Sequence, residues 1–287
     1  MGSVRTGVML AYPVDEKRLS KMPEKVIFQR KLNGERAKLS WTPSGDPIIL
    51  SSCGNEMPFF KSFKKEISSS KLFGVELDGE FYCHGMPREE IHSICSRRKN
   101  PHPYEDSLSF HAFDIVDEDA SQSYRTIELE ELLENDLEFT KLVKSSYADK
   151  AALIPFTEQW IKDGYEGAII RHPNALYTPR KCNFMLKFKP TEIDIYEIVG
   201  YQEEVDKYGF LKGRLGSVHV KDSDGHVFSI GTGNDLDADG RTFWWKNRDT
   251  LKGLHAKVKH STIMTVNGFP TCTSLLSILI GKEKEKQ

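Results

Sequence analysis

The pattern of the chain changes at Pro190, and this change restricts its possible folds more than any other feature. Before Pro190, segments with the apolar spacing of helices alternate with strand-like segments. After it, short strand-like segments are separated by turn residues such as Asp222–Gly225, and no helix of comparable length is indicated. We therefore expect an α+β domain over residues 1–190 and a small β-barrel over residues 191–281, followed by a charged tail, residues 282–287.

The first domain is expected to contain antiparallel strands with flanking helices. Apolar residues alternate from Val26 to Ile49 on both sides of an Asn33-Gly34 turn, which predicts a β-hairpin. Further strands are predicted at Phe73–Tyr82, Leu108–Val116, Glu166–Arg171 and Asn183–Lys189. Helices are predicted at Pro87–Arg98 and Ser123–Tyr147, and the end of another helix at Glu158–Lys162. In the second domain, strands are predicted at Ile193–Tyr201, Gly216–Lys221, Val227–Gly231 and His255–Val266.

Composition excludes several classes of protein. The chain has 287 residues, of which 38% are hydrophobic and 29% charged, which is typical of a globular protein and not of a disordered chain. No apolar run approaches the roughly 18 residues that a membrane span needs, and the first residues lack a secretory signal. We expect a protein without membrane contact that is cytoplasmic, or nuclear in a eukaryote, and is not secreted.

Cysteine spacing bears on the cellular compartment and on metal binding, and charge distribution bears on the binding partners. The five cysteines form no C-x-x-C pair, which suits a reducing compartment and predicts no zinc site. Net charge is −2 overall, but residues 171–287 carry 18 Lys and Arg against 14 Asp and Glu, whereas residues 1–170 carry 22 against 28. The later part of the chain therefore has a mild basic excess.

The first informative cluster is Lys31-Leu-Asn-Gly-Glu-Arg36. In the predicted hairpin, Lys31 and Arg36 can point into the same cavity, and an amine becomes a nucleophile when nearby cations or burial lower its pKa. Taken alone, a lysine and an arginine beside a turn are also typical of a protein surface.

Four further charged clusters follow in order along the chain. They are Glu76-Leu-Asp-Gly-Glu80, Ala112-Phe-Asp-Ile-Val116, Glu166-Gly-Ala-Ile-Ile-Arg171 and Met185-Leu-Lys-Phe-Lys189. Because side chains alternate along a strand, Lys187 and Lys189 are expected on one inward face. Two lysines there are costly without an anionic partner, and a nucleotide phosphate would supply one.

These clusters together resemble the ordered motifs of the covalent nucleotidyltransferases, the family of polynucleotide ligases and mRNA capping enzymes. The motifs are Lys31-x-Asn-Gly-x-Arg36, Asp78-Gly-Glu80, Phe113-Asp114, Glu166-Gly-x-x-x-Arg171 and Lys187-x-Lys189, and the resemblance covers about residues 7–240. Within the family, the chain is most similar to the compact viral and phage ATP-dependent DNA ligases. The resemblance implies a nucleotidyltransferase (adenylation) domain of antiparallel sheets and flanking helices, followed by an OB-fold β-barrel.

The resemblance also implies a reaction. The chain would seal a 3′-hydroxyl to a 5′-phosphate at a nick in double-stranded DNA, as a monomer, through a lysyl-AMP and a DNA-adenylate. ATP would donate the AMP, with Mg²⁺ or Mn²⁺ as the metal. Lys31 would be the nucleophile, and Lys187 and Lys189 would neutralise charge on the α-phosphate.

Other residues are assigned to the nucleotide and the metal by the same resemblance. Arg36 and Glu80 would contact the ribose or phosphate, and Phe113 would stack on adenine. Glu166, together with Glu80, would hold the metal. Gln29 either reads the adenine amino group or is a solvent-facing strand residue.

Three features depart from the ligase motifs. Asn33 stands where the family usually has aspartate, although a turn accepts asparagine equally well. Ser51-Ser-Cys-Gly54 resembles a Ser-Arg-x-Gly motif whose arginine contacts DNA phosphate, and Ser52 stands at the arginine position. The end of the chain also lacks the Arg-x-Asp-Lys motif of many ligases. If Ser52 faces DNA, an arginine at this position would restore the contact.

Two other functions stay open. RNA ligation or mRNA capping uses the same covalent chemistry, although the strands after Pro190 favour DNA. A ligase-like fold could also be retained for nucleic-acid binding alone, but the presence of Lys31, Glu80, Glu166 and Lys189 argues against a protein that has lost its activity.

Overall fold

A computed structural model describes residues 7–135, 137–261, 270 and 273–280. The chain divides into two compact units, Met1–Lys189 and Pro190–Gln287. Among the helices of the described residues, none is long and apolar enough to cross a bilayer.

The first unit contains ten strands and five α-helices within its described residues. The strands are β1 (Leu10–Pro13), β2 (Lys25–Lys31), β3 (Glu35–Trp41), β4 (Pro47–Ser51), β5 (Leu77–Tyr82), β6 (Ser109–Ile115), β7 (Thr140–Leu142), β8 (Ser145–Asp149), β9 (Gly167–Arg171) and β10 (Lys181–Phe188). The helices are α1 (Glu16–Leu19), α2 (Lys61–Ser68), α3 (Arg88–Cys95), α4 (Gln122–Leu132) and α5 (Leu153–Lys162).

Two five-stranded sheets form the first unit, the first in the order β1-β10-β9-β2-β8 and the second in the order β4-β3-β5-β6-β7. Most neighbours are antiparallel, and the parallel pairs are β1 with β10 and β6 with β7. The first sheet packs α5 against a core that includes Phe28 and Trp160, whereas Phe81 and Phe110 belong to a separate core on the second sheet. The unit is thus a mixed α/β fold built mainly on antiparallel sheets.

The predicted hairpin around Asn33-Gly34 is wrong. Strand β2 pairs with β8 and β9, whereas β3 pairs with β4 and β5, so the chain passes from the first sheet to the second between Lys31 and Glu35. The alternation of apolar residues is real, but its two halves fill different cores. An Asn-Gly turn therefore joins two sheets here, and it places Lys31 at the end of one sheet and Arg36 near the start of the other.

Other predicted elements of the first unit can be compared directly. Strands β5, β6, β9 and β10 and helix α3 are confirmed within the predicted ranges or a few residues of them. The end of a helix at Lys162 is also confirmed, and Gly164 follows it with a positive φ of 86°. The long helix predicted over Ser123–Tyr147 is wrong beyond Leu132, because Leu137 and Leu142 contribute their apolar side chains to the core of the second sheet instead.

The second unit contains one five-stranded sheet in the order β13-β12-β11-β14-β15. Its elements are β11 (Thr191–Val205), β12 (Leu211–Lys221), β13 (Val227–Ile230), α6 (Ala238–Lys246), β14 (His255–Ser261) and β15 (Ser274–Leu279). In the described residues the hydrogen-bonded strands do not close into a barrel. The part of the predicted last strand beyond Ser261 lies outside these residues.

Helix α6 was not predicted from the sequence. Its only buried residue is Trp244, so the helix shows no repeating apolar spacing. A local signal was present in Asp237, whose side chain accepts a hydrogen bond from the Gly240 amide at 2.7 Å and caps the helix.

A buried ionic network connects the two sheets of the first unit. Asp114 in β6 is fully buried, and its carboxylate accepts hydrogen bonds from Arg125 of α4 at 2.8 Å and from Arg171 of β9 at 2.6 Å. Gln122 is a third donor residue, at 3.2 Å. One carboxylate thus holds a helix and a strand of the first sheet against the second sheet.

Replacement of Asp114 by asparagine should destabilise the protein strongly. The substitution leaves two buried guanidinium groups without their counter-charge, which typically costs about 3–5 kcal/mol of unfolding free energy. The matched control is Asp149→Asn, because Asp149 forms a 2.9 Å ion pair with Lys25 in which both side chains are more than half exposed. In urea denaturation, Asp114→Asn should shift the midpoint and the control should not. Equal shifts would contradict the role of Asp114.

Candidate active site

Lys31 and Glu166 are brought together by strand pairing. Lys31 ends β2 and is in register with Gly167 at the start of β9, and the Glu166 amide donates to the Lys31 carbonyl at 2.9 Å. The Lys31 ammonium forms an ion pair with one oxygen of Glu166, and Lys189 Nζ lies 2.7 Å from the other. A single carboxylate is therefore held between two ammonium groups, whose side chains are about one-fifth exposed.

Gly167 makes this arrangement possible. It has a φ of 152°, and a Cβ atom at this position would lie 2.2 Å from the Phe188 carbonyl oxygen. Only glycine allows such a close approach of two backbones. The approach brings the residue after β10, Lys189, next to the residue before β9, Glu166.

The electrostatics of Glu166 follow from these contacts. Burial alone would raise the pKa of its carboxyl, but the charges and hydrogen bonds of Lys31 and Lys189 outweigh burial and hold this pKa below its usual value. Glu166 is therefore ionised at neutral pH and keeps both ammonium groups in place.

Glu80 in β5 is the second carboxylate of the site. Its Oε1 accepts a hydrogen bond from the Gly34 amide at 2.6 Å, and a Cβ on Gly34 would lie only 2.2 Å from the Phe81 carbonyl oxygen. Burial raises the pKa of Glu80, the charges of Lys31 and Arg36 oppose the rise, and the charge of Glu166 adds to it. Two carboxylates and two cations are thus close enough to affect each other's charge.

Asp78, which is itself bound by Tyr177, holds Arg36 in place, and no role is predicted from the sequence for either residue. Its guanidinium forms two hydrogen bonds with Asp78, one of them 2.7 Å long from Nε, and donates to the Met9 carbonyl at 2.9 Å. The Tyr177 hydroxyl donates to Asp78 at 2.7 Å. Asp78 lies within the quoted Asp-Gly-Glu motif, and Tyr177 is the single tyrosine of the Glu166–Pro190 segment, whose order of Glu-Gly, Tyr and Leu-Lys-x-Lys resembles the ligases.

Phe113 and Gln29 form an adjoining buried cluster. The Arg36 guanidinium lies 4.5 Å from the centre of the Phe113 ring. Gln29 Nε2 donates to the Phe113 carbonyl at 2.9 Å and to Ser145 Oγ at 3.0 Å, while its Oε1 accepts from Arg171 at 2.7 Å. Gln29 is only 2% exposed, so its interpretation as a solvent-facing residue is wrong.

Two expectations about exposure are also wrong. The alternation of side chains predicts Lys187 and Lys189 on one inward face, but the Lys187 side chain is exposed. Lys189 lies beyond β10, which ends at Phe188, so the alternation of the strand does not extend to it. Ser52 was treated as a residue that could face DNA, but it is only 8% exposed. It lies in a tight turn in which the Gly54 amide donates to the Ser51 carbonyl at 2.8 Å, and this turn directs it inward.

The donor set of the site fits Mg²⁺ only together with a phosphate ligand. Magnesium is commonly held by one or two carboxylates plus substrate phosphates, and Glu80 and Glu166 are two such carboxylates. Within the described ranges, groups of three His, Asp or Glu side chains close enough to bind a metal occur only in the second unit, at Glu192–Asp194–His260 and Asp222–Asp224–His226.

Comparison with known proteins is consistent with these motifs. The family model described as "ATP dependent DNA ligase domain" matches residues 8–189. The DNA ligase of African swine fever virus (isolate Pig/Kenya/KEN-50/1950) is 31% identical over 191 residues, covering 62% of this chain and 44% of the viral protein. The DNA ligase of Haemophilus influenzae is 25% identical over 162 residues, covering 56% and 58%. The chain thus spans less than half the length of the viral relative.

Solved structures share the fold. A structure described as an analysis of Lig E DNA ligases has a TM-score of 0.76 at 22% identity, covering 96% of this chain and 100% of that chain. The Chlorella virus DNA ligase–adenylate has a TM-score of 0.51 at 20% identity, covering 98% and 100%.

The two site carboxylates should affect stability in opposite ways. The lowered pKa of Glu166 means that its ionised form stabilises the fold above the ordinary glutamate pKa and that this stabilisation is lost as pH falls through the folded-state value. The raised pKa of Glu80 means that its ionised form costs stability at neutral pH, and the cost disappears below the ordinary pKa of about 4.3.

Thermal melting of Glu166→Gln and Glu80→Gln tests these signs, with each variant serving as the control for the other. At pH 7, Glu166→Gln should lower Tm, whereas Glu80→Gln should keep or raise it. The Glu80→Gln difference should vanish by about pH 4, whereas the Glu166→Gln difference should shrink only as pH falls below the ordinary glutamate pKa of about 4.3. A fall in Tm of the same size for both variants at pH 7 would contradict the assigned electrostatics.

Proposed function

The chain belongs to the ATP-dependent DNA ligase family, and from this we infer that it joins a 3′-hydroxyl to a 5′-phosphate at a nick in duplex DNA. The observation that carries the proposal is the contact of Lys31 with Glu166, whose other oxygen binds Lys189. A positioned amine, a carboxylate and a second cation at one point are the groups that nucleotidyl transfer to a lysine requires.

In the proposed first step, Lys31 Nζ attacks the α-phosphorus of ATP. A nitrogen–phosphorus bond forms, the bond between the α-phosphorus and the bridging oxygen breaks, and pyrophosphate leaves. The attacking ammonium must first lose a proton, and Glu166 is the carboxylate in direct contact with it. The AMP then passes to the 5′-phosphate of the nick, and attack by the 3′-hydroxyl releases AMP and closes the strand.

Preorganised cations support the transfer. Lys189 and Arg36 are held in place before any nucleotide binds, by Glu166 and Asp78 respectively. Fixed charges of this kind stabilise developing phosphate charge without a cost of reorganisation at the moment of reaction. Lys187 is proposed as a weaker contributor, because its exposed charge is screened by solvent.

The adenine is proposed to bind at Phe113. The ring lies at the edge of the core and is 9% exposed, with Arg36 over it in place of a base. Adenine would stack on Phe113, and Arg36 would contact the ribose or phosphate from its place beside the ring. Both amide hydrogens of Gln29 are donated within the protein, so Gln29 would accept a hydrogen bond from the adenine amino group through Oε1.

Glu80 and Glu166 are proposed to hold Mg²⁺, or Mn²⁺, together with the phosphates of ATP. The bound metal would supply positive charge to the phosphate oxygens during transfer. The raised pKa of Glu80 supports this assignment, because burial and a neighbouring carboxylate both favour a cation at this position.

The second unit is proposed to be an OB-fold that contacts the duplex. Its five-stranded order supports this, as does an isolated parallel bridge between Gly233, just after β13, and Leu275 in β15. A partly open five-stranded barrel is the form of an OB-fold. The protein is further proposed to act as a monomer and to contact DNA mainly through its phosphates.

Lys31→Ala should abolish covalent attachment of AMP, because it removes the amine at the end of β2 that contacts Glu166 and is the proposed nucleophile. The protein is mixed with α-labelled ATP and Mg²⁺, denatured, and examined for retained label. Lys38→Ala is the matched control, since Lys38 is similarly buried and is paired with Glu76 at 3.1 Å. It should retain the label. Label that survives denaturation on Lys31→Ala would show that another residue is the nucleophile.

Joining should require a nick in a duplex. The two ends must be held in line near the adenylylated phosphate, and the intact complementary strand supplies that alignment. A panel of nicked duplexes with DNA or RNA on each side, together with free single strands, measures this. Efficient sealing of the all-DNA nick and failure on free strands are expected. Preference for an RNA 5′-phosphate strand, or joining of single-stranded RNA, would favour RNA ligation instead.

A further inference from the structure

A basic loop follows helix α3 in the first unit. Residues 91–104 contain Arg97, Arg98 and Lys99 and no aspartate or glutamate. Residues 96–101 are all exposed, and the Tyr104 side chain at the end of the loop is 65% exposed. We refer to residues 96–104 as the basic loop. It concentrates positive charge in a part of the chain that is acidic as a whole.

Two of the three cations in the basic loop have no side-chain partner among the described residues. The Arg98 guanidinium donates to the carbonyl oxygens of Cys95 at 3.3 Å and Arg97 at 2.8 Å, and so fixes the loop to the end of α3. In the part of the chain that is described, the side chains of Arg97 and Lys99 make no hydrogen bond or ion pair. In contrast, Arg88 on the same helix is paired with Glu35 at 3.7 Å.

The acids that follow the basic loop do not neutralise it. Glu105 Oε1 accepts a hydrogen bond from the Lys61 amide at 3.4 Å, and Asp106 accepts one from Ser62 Oγ at 3.1 Å. Both contacts are with the first residues of α2. The two carboxylates that directly follow the basic loop are therefore engaged with α2, and the positive charge of Arg97 and Lys99 is left for an external anion.

The basic loop begins close to the candidate active site. Glu35 directly follows Gly34, whose amide binds Glu80, and Glu35 Oε2 lies 2.9 Å from His92 Nδ1 in α3. Burial raises the pKa of the Cys95 thiol at the end of α3, the charge of Glu35 raises it further, that of Arg98 opposes the rise, and that of Glu80 adds to it. The end of α3 is thus within electrostatic range of Glu80.

We propose that the basic loop binds the sugar–phosphate backbone of a nucleic-acid strand, with Arg97 and Lys99 each contacting one phosphate. The proposal rests on the proposed function, because a ligase must hold a strand end beside Lys31 and Glu80. A polyanionic backbone is the partner that fits best two closely spaced, exposed cations that are unpaired among the described residues, since each phosphate contact releases a condensed counterion. Arg98 acts only as the structural anchor of the loop.

The test is the salt dependence of binding to a nicked DNA duplex, measured by fluorescence anisotropy without ATP. The double variant Arg97→Gln/Lys99→Gln should bind more weakly, and its plot of log K against log salt should be shallower by about 2, one for each phosphate contact. The matched control is Lys144→Gln/Lys162→Gln, which removes two exposed lysines elsewhere on the same unit and should leave the slope unchanged. Self-adenylylation should be the same in all three proteins.

The outcomes separate this proposal from the proposed function. An unchanged slope for Arg97→Gln/Lys99→Gln, or an equal decrease for the control, would overturn the role of the basic loop even if the protein seals nicks. A decrease confined to Arg97→Gln/Lys99→Gln would support that role even if the unmodified chain formed no lysyl-AMP, in which case the proposed function alone would fail. Circular dichroism of each variant shows whether it is folded, so that a loss of DNA binding is not mistaken for a loss of structure.

Discussion

The buried carboxylate of Asp114 is the interaction on which the first unit depends. Asp114 lies in the second sheet, and its carboxylate accepts a hydrogen bond of 2.6 Å from Arg171 in the first sheet. Arg171 in turn donates to Gln29 at 2.7 Å, and Gln29 lies two residues before Lys31 on β2. Buried charges are tolerated only when they are fully paired, so this chain of contacts has few alternative arrangements. The strand that carries Lys31 is thereby positioned against the sheet that carries Glu80.

Close backbone contacts complete the site. Gly34 passes against β5 and Gly167 against the end of β10, at distances that a Cβ atom would prevent. The first contact lets the Gly34 amide bind Glu80, and the second places Lys189 beside Glu166. The site is therefore formed by backbone geometry as much as by charge. A carboxylate between two cations is stable before any nucleotide binds, which suits a reaction that depends on prearranged electrostatics.

The outcome for individual elements shows what a sequence pattern can establish. Strands such as β9 and β10 were predicted because short apolar runs bounded by turn residues leave few alternatives. The helix predicted over Ser123–Tyr147 failed beyond Leu132, because Leu137 and Leu142 have helical spacing by coincidence and pack into a sheet core. Helix α6 was missed because it buries only Trp244. Apolar periodicity indicates which residues are buried. It misleads where residues with helical spacing are buried in a sheet core, and it gives no signal where an element buries few residues.

The sequence by itself determined which residue types are present and in what order, and this was enough to predict nucleotidyl transfer with Lys31 as the expected nucleophile. Only the tertiary structure decided which of them meet. It separated Lys31 and Arg36 onto different sheets, brought Glu166 and Lys189 together, left Lys187 exposed and turned Ser52 inward. The physical reason is that order along the chain is local information. The pairing of distant strands and the burial of a charge depend on the free energy of the whole packed unit.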